Sequence, residues 1–319
     1  MKVYVVGAGA VGRYLGGLLA DHGGDVSYAP RTLDEVVPVE NVDLAIVAVK
    51  AFDTAGAIAT LRRALGTAAA TTILSVQNGV GNEEQLAEAF GADNVVAGAL
   101  TVPVQLDGEG VSVAGSGGLG LAPVGGGSIN WLLAAFAAAG LQVRSYADFR
   151  ALKWSKLLIN AMANATCAIL DSLPTNLVKH PGAFRVEVHA LREALGVIRA
   201  QRIPLVDLPR YPVRALAAVL RLPSAGARLL LASRVAGARG EKPPSLLVDL
   251  RAGRQRSEVG ALNGAVVRAG KVLGVPTPVN AVLTDTLEDI VRSHALWAKY
   301  RERPEALIAR VDEATRGRW

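Results

Sequence analysis

Three polar side chains, Lys156, Asn160 and Asn164, recur every fourth residue through a stretch in which every other position from 157 to 165 is Leu, Ile, Ala or Met. On a helix of 3.6 residues per turn each is rotated by about 40° from the one before, so the spacing predicts a buried helix with a single polar stripe. Buried amides and ammonium groups are costly without partners. The stripe therefore implies a polar cleft or ligand beside it, or else a structural hydrogen-bond network between helices. Lys153 lies about one turn earlier on a neighbouring face. A second candidate is Ser257-Glu258. Ser257 can cap a helix that Gly274 and Pro276 end, and Glu258 then sits in the first turn, where the helix macrodipole favours a carboxylate. Read alone, Glu258 needs no further role than that.

A third group lies at the start of the chain, in Gly7-Ala8-Gly9-Ala10-Val11-Gly12. An apolar run of strand length, Val3 to Val6, stops at Gly7, and an amphipathic segment through Leu15, Leu18 and Leu19 begins at once. In a strand–turn–helix of this kind Gly7 permits the turn and Gly9 lets backbone approach a pyrophosphate. Gly12 lets the helix lie close on the strand, whose helix N-terminus then faces phosphate. A Gly-rich turn without a ligand is the plainer alternative. The residue near the end of the next strand, Asp25 to Ala29, is Arg31, which suits the 2′-phosphate of NADP where a carboxylate would suit the ribose of NAD. Lys50 directly follows the near-continuous apolar run from Asn41 to Val49, the pattern of a parallel strand covered on both faces. Its place at a strand's carboxyl end points to a phosphate or cofactor role. Asn78 ends the next strand, Thr72 to Val76, in Gln77-Asn78-Gly79. It could bridge cofactor and substrate or serve as a left-handed turn residue.

These pieces require an α/β fold, with an N-terminal Rossmann-type doubly wound sheet over 1–146 and an all-helical C-terminal domain over 147–319. Short alternating strands from Val95 to Ala122, around Asp107-Gly108-Glu-Gly110, read as antiparallel hairpins at one end of the sheet. The second half is helical in pattern, punctuated by Pro and Gly clusters at 174–182, 204–212, 223–226, 237–244 and 274–278. At 319 residues, 51% hydrophobic and 19% charged, the chain can bury two cores. The net charge of +6 is unevenly placed: residues 1–150 carry 8 Lys/Arg against 14 Asp/Glu, and 151–319 carry 26 against 14. The basic half could attract a small anion, though its Arg residues, interleaved with Leu and Ala and lacking an aromatic platform, argue against nucleic acid. Cys167 is the one cysteine. It excludes an internal disulfide framework and suits a reducing, cytoplasmic setting. No secretory leader is expected at the opening strand. The most apolar stretch, Val213 to Val235, holds four arginines and Pro223, too many interruptions for a membrane span. His22, His180, His189 and His294 are scattered without ligand spacing, so no metal is expected.

Taken together and in order, these stretches resemble the ketopantoate reductase (2-dehydropantoate 2-reductase) family. The family pattern has a G-x-G-x-x-G at the start, a lysine after the third apolar strand, N-G after the next and K-L-x-x-N-x-x-x-N on the joining helix. A late S-x-x-x-D, then T/S-E-x-x-x-L-N-G and G-x-P-T-P-x-N, complete it. These read here as Gly7 to Gly12, Lys50, Asn78-Gly79, Lys156 through Asn160 and Asn164, Ser245 to Asp249, Ser257-Glu258 through Asn263-Gly264, and Gly274 through Asn280. The resemblance implies reduction of a 2-keto acid, ketopantoate to pantoate, with hydride from NADPH, in pantothenate synthesis. Lys156 would be the general acid, and Glu258 would pair with it and orient the substrate hydroxyl. Asn160, Asn164 and Ser245 would hold the substrate, Asn78 would span substrate and ribose, and Arg31 and Lys50 would hold the 2′-phosphate. The chain departs from the pattern in having only 18 residues between Arg31 and Lys50, Gly260 where aspartate is common, and an Arg/Leu/Pro-rich stretch from 205 to 242. Two alternatives stand beside this reading: another 2-keto acid on the same fold, or a non-catalytic NADP sensor. The apolar late helices could form a homodimer face.

Overall fold

The computed structural model describes residues 1–66, 71–108, 110–239 and 242–316, with the side chains of 232–239 outside the description. Glu109, in the expected hairpin turn, lies outside the described residues. So do Gly240, Glu241 and the Arg234 side chain, in the Arg-rich stretch. The chain packs as two units, one of residues 1–156 with 206–211 and the other of 157–205 with 212–319.

The first unit contains strands β1 (Lys2–Val6), β2 (Asp25–Tyr28), β3 (Leu44–Val47), β4 (Thr72–Ser75), β5 (Val95–Leu100), β6 (Val104–Asp107), β7 (Gly110–Val113), β8 (Leu119–Pro123) and β9 (Val143–Ser145). Its helices are α1 (Ala10–Ala20), α2 (Thr54–Leu65), α3 (Asn82–Phe90) and α4 (Asn130–Ala138). The main sheet has the order β2-β1-β3-β4-β5-β8-β9, parallel except where β8 runs against β5, and β6 with β7 forms a separate hairpin. Alternate residues of the strands feed opposite faces, as a pleated strand demands. Val3, Val5, Leu44 and Ile46 join Leu15, Leu19, Leu132 and Phe136 on the face covered by α1 and α4. Tyr4, Val6, Ala45 and Val47 join Ala57, Leu61 and Leu86 under α2 and α3. Two-sided covering explains why β3 and β5 are buried at every position. This is a Rossmann-like sheet, and its parallel strands end together at the glycine turn, Lys50 and the Gln77-Asn78-Gly79 turn.

Helix α5 (Phe149–Ala161) belongs to the first unit as far as Lys156 and to the second from Leu157. The division thus falls inside a helix, ten residues beyond the expected 146/147. Residues 206–211 are held to the first unit by backbone and side-chain bonds: Val206 N–H to Ser155 Oγ (3.0 Å), Tyr146 Oη to Asp207 O (2.7 Å) and Thr101 Oγ1 to Pro209 O (3.0 Å).

The second unit is helical: α6 (Ala165–Leu170), α7 (Pro174–Lys179), α8 (Pro181–Ala200), α9 (Val213–Val219), α10 (Ser224–Arg239), α11 (Ser245–Arg251), α12 (Asn263–Leu273), α13 (Pro278–Arg292) and α14 (Pro304–Thr315). The long α8 has Pro181 in its first turn and is capped by His180, whose Nδ1 accepts the Ala183 N–H at 3.1 Å. It packs against α12, α13 and α14. No helix among the described residues is long and apolar enough to cross a membrane.

The expected single helix carrying Lys156, Asn160 and Asn164 is two helices. Ala163 takes a left-handed conformation (φ 53°), which ends α5 at Ala161 and starts α6 at Ala165. The cause lies on α8. The buried Glu187 carboxylate accepts the Ala163 N–H (2.8 Å) and the Thr166 hydroxyl (2.8 Å), so the chain turns to present both donors to it.

Candidate functional site

At the glycine turn the three glycines differ in conformation and surroundings. Gly7 has φ 109°, and a Cβ there would come within 2.7 Å of the Val49 nitrogen. A Cβ on Gly12 would lie 2.0 Å from the Gly7 carbonyl oxygen, so any side chain at 12 would push α1 off the turn. Above Gly9, the N-cap of α1, a Cβ would meet nothing within 4 Å. Ala10 and Val11 form the first turn of that helix, and the Arg13 Nε–H closes the turn by donating to the Ala8 carbonyl at 2.9 Å. Open space beside Gly9, at the start of an 11-residue helix, fits the pyrophosphate of a dinucleotide.

The other residues of this unit sit around that edge of the sheet. Arg31 is exposed, in the loop between β2 and a 3-10 turn at Leu33–Glu35. Lys50 follows β3 and caps a 3-10 turn, its carbonyl accepting the Asp53 N–H at 2.8 Å. The short run between them thus holds only the Leu33–Glu35 turn before β3. Asn78 is half-buried, and its carbonyl accepts from Asn82 Nδ2 at 3.0 Å. Lys156 is half-buried on α5.

Sequence reasoning places Lys153 only on a face next to that of Lys156 and passes over Glu83. The structure gives this pair a place of its own. Lys153 Nζ lies 2.8 Å from Glu83 Oε1, and both side chains are essentially inaccessible, at 2% and 1% exposure. In the sequence, Glu83 and Glu84 look like ordinary first-turn acids of α3. Only the fold brings a residue 70 positions away to neutralise one of them.

In the second unit Asn160 and Asn164 stand on either side of the helix break, joined by Asn164 Nδ2–H donating to the Asn160 carbonyl at 3.0 Å. Asn164 is 3% exposed. Its Nδ2 also reaches Ser245 Oγ at 3.3 Å, and its Oδ1 accepts the Leu246 N–H at 3.1 Å. Asn164 therefore fixes the start of α11 and the orientation of the exposed Ser245. Asn160 is half-buried at the end of α5.

Glu258 is buried and opens a 3-10 turn, Glu258–Ala261, which Ser257 caps by accepting the Val259 N–H at 3.1 Å. The chain then breaks at Leu262 before α12. Asn263 and Asn280, both in the late motifs, meet each other in the core: Asn263 Nδ2 donates to Asn280 Oδ1 at 3.0 Å. Glu193 then accepts the Val279 and Asn280 N–H groups and Asn280 Nδ2, at 2.7–2.9 Å. Burial pushes the Glu193 carboxyl up, opposed by those bonds. These two asparagines brace the helices on either side of residues 274–278. Among the described residues no group of His, Cys, Asp and Glu is arranged to hold a metal ion.

Comparison with known proteins places this geometry in a family. Residues 25–126 match the family described as ketopantoate reductase PanE/ApbA, and residues 148–291 match its C-terminal counterpart. The chain is 30% identical over 249 residues to the 2-dehydropantoate 2-reductase of Pyrobaculum aerophilum, covering 78% of this chain and 77% of that protein. It is 28% identical to the protein of the same name from Halobacterium salinarum, over 92% of this chain and 98% of the relative. Among solved structures, a PanE/ApbA family ketopantoate reductase from Ralstonia eutropha aligns at a TM-score of 0.76 with 30% identity, over 92% of this chain and all of that one. A D-mandelate dehydrogenase solved with NADH shares the fold, with a TM-score of 0.76 at 24% identity and coverage of 92% and 99%. On the profile matches and the 30% relative, the chain belongs to the ketopantoate reductase family, a family of oxidoreductases.

Proposed function

We propose that this protein reduces 2-dehydropantoate to pantoate, with NADPH as the nucleotide. A bound nicotinamide nucleotide supplies the hydride; the chain supplies the rest. The glycine turn and the start of α1 hold the pyrophosphate, Arg31 and Lys50 carry positive charge for the 2′-phosphate, and Asn78 holds ribose and substrate. Lys156 attracts electron density to the keto oxygen and donates a proton to the alkoxide as it forms. Asn160 and Ser245, the latter fixed by Asn164, bind the substrate's polar groups, and Glu258 orients its hydroxyl.

The observation that carries this reading is the half-buried Lys156, four residues before Asn160 on one helix, in a chain of this family with an open glycine cradle. The test is the rate of NADPH and NADH oxidation with 2-dehydropantoate beside a panel of 2-keto acids, including the keto acid of mandelate. The highest kcat/KM is expected for 2-dehydropantoate with NADPH. In Lys156→Ala, kcat should fall by roughly two or more orders of magnitude, the contribution of a positioned acid, while NADPH still binds. Faster turnover of another keto acid would overturn the substrate. No turnover of any would overturn the reaction.

A further inference from the structure

We infer that Lys153, with Glu83, is a positioning residue for Asn78. The ammonium has three N–H donors and three acceptors around it. These are Glu83 Oε1 at 2.8 Å, the Gln77 carbonyl at 2.6 Å and the Gly98 carbonyl at 3.4 Å. The Gln77 carbonyl belongs to the peptide that leads into Asn78. The following carbonyl, that of Asn78 itself, is held by Asn82 Nδ2 at 3.0 Å. Asn78 is therefore clamped on both sides, just before Gly79 (φ 84°) and Gly81 (φ 95°), where the backbone is least constrained by its own side chains.

The clamp continues into the sheet. Ser75 Oγ donates to Glu83 Oε1 at 2.6 Å, and Gln77 Nε2 donates to Thr54 Oγ1 at 2.9 Å, which lies 3.0 Å from Asn82 Oδ1. Ser75, Gln77, Asn82, Glu83, Thr54 and Lys153 are all buried. Two acceptors in this cluster, Gln77 Oε1 and Glu83 Oε2, have no hydrogen-bond partner among the described residues. The cluster is thus rich in acceptors, and the Lys153 charge is what makes it tolerable. An apolar pair would fill the same space without the cost of burying two charges. What it would not supply is a donor for the Gln77 carbonyl, and that is the function the geometry assigns to Lys153.

This inference rests on the proposed role of Asn78 in holding ribose and substrate. Its test compares Lys153→Met/Glu83→Gln, which removes both charges together and so avoids stranding the carboxylate, with Asn78→Ala and the triple variant. Amide exchange of residues 77–81 in the ligand-free protein should accelerate in the double variant. NADPH titration by fluorescence should show affinity weakened by about tenfold, with KM for the keto acid raised similarly and kcat less affected. In the Asn78→Ala background the same change should add less than about twofold, because the effect passes through that side chain. Unchanged exchange at 77–81, or a full loss of affinity on top of Asn78→Ala, would overturn the inference. An unmodified protein that turns over no 2-keto acid would instead remove the proposed reaction, and the exchange measurement would still decide the role of Lys153.

Discussion

Replacing Glu187 by alanine removes the acceptor that holds the chain between α5 and α6 in its turn. The carboxylate accepts hydrogen bonds from the Ala163 N–H and the Thr166 hydroxyl, both at 2.8 Å, and it is buried at 2% exposure. A bond to a charged acceptor contributes about 1.5–3 kcal/mol, so the gross loss is about 3–6 kcal/mol. Relief from burying a charge offsets part of this, leaving a net destabilisation of about 3 kcal/mol. For cooperative bodies of this size that corresponds to a fall in Tm of about 6–12 °C. Glu187→Gln keeps an oxygen for Ala163 and can donate to the Thr166 hydroxyl, so its cost should be about 1 kcal/mol. Ala163 is left-handed at φ 53°, a conformation glycine adopts without penalty. Ala163→Gly in the alanine variant should therefore recover about 1 kcal/mol. Urea unfolding of the four proteins measures all of this. A Glu187→Ala variant within about 0.5 kcal/mol of the unmodified protein, the range of an ordinary surface change, would refute the reasoning. So would a glutamine variant as damaged as the alanine one.

Gly12→Ala should abolish nucleotide binding, because its Cβ would sit 2.0 Å from the Gly7 oxygen, whereas Gly9→Ala, with open space above it, should leave the fold intact and weaken only the pyrophosphate's approach. Comparing circular dichroism with NADPH affinity separates the two, and equal effects on the fold would count against the assignment. Arg31→Ala should reduce the preference for NADPH over NADH, read as the ratio of kcat/KM values, and a ratio already near one in the unmodified protein would remove the role of Arg31. Burial, then the charges of Arg192 and Arg185, hold the His189 imidazole below its usual value of 6.5. The unfolded chain therefore binds that proton first, and the stability that His189 contributes is complete above pH 6.5 and lost as pH falls through the folded value. His189→Gln should flatten the Tm profile below pH 6.5, and parallel profiles would show that the group does not titrate differently on folding.

What could be read in the sequence is what is decided locally. The turn at Gly7 to Gly12 is set by contacts within that segment and with β3, and its glycines announce it. Lys50 and Asn78 were placed at strand ends because β3 and β4 are short apolar runs with abrupt stops. The second kind of feature depends on partners far along the chain, and no local pattern reports it. The regular spacing of Lys156, Asn160 and Asn164 predicts one straight helix, and Ala161, Met162 and Ala165 beside Ala163 favour it. A single carboxylate 24 residues away overrules that preference by accepting the Ala163 N–H. Likewise Lys153 looks like a surface lysine on the helix until the fold brings Glu83 and the Gln77 carbonyl to it.

The division of the chain shows the same competition at a larger scale. The expected boundary at 146/147 follows the last strand, where the strand pattern stops and the helical pattern begins. In the structure α5 stays with the sheet for its first two turns, because Lys153 is tied to Glu83 and Ser155 accepts the Val206 N–H. The segment 206–211, embedded in helical sequence, returns to the same body through Asp207 and Pro209. Both anchors are polar contacts made by short stretches that look unremarkable in composition. They matter for function because the anchored half of α5 ends at Lys156. The proposed proton donor must keep its place relative to the turn proposed to hold the nucleotide, and Leu152, Lys153 and Trp154, which are buried and belong to the unit that carries the glycine turn, meet that requirement. The polar residues that follow on α5 and α6 take their places from Glu187 and from the start of α11. On this argument, changes at Lys153 should register in nucleotide binding as well as in substrate KM, and changes at Glu187 in substrate KM with nucleotide binding unchanged, although both residues lie within 31 positions of Lys156.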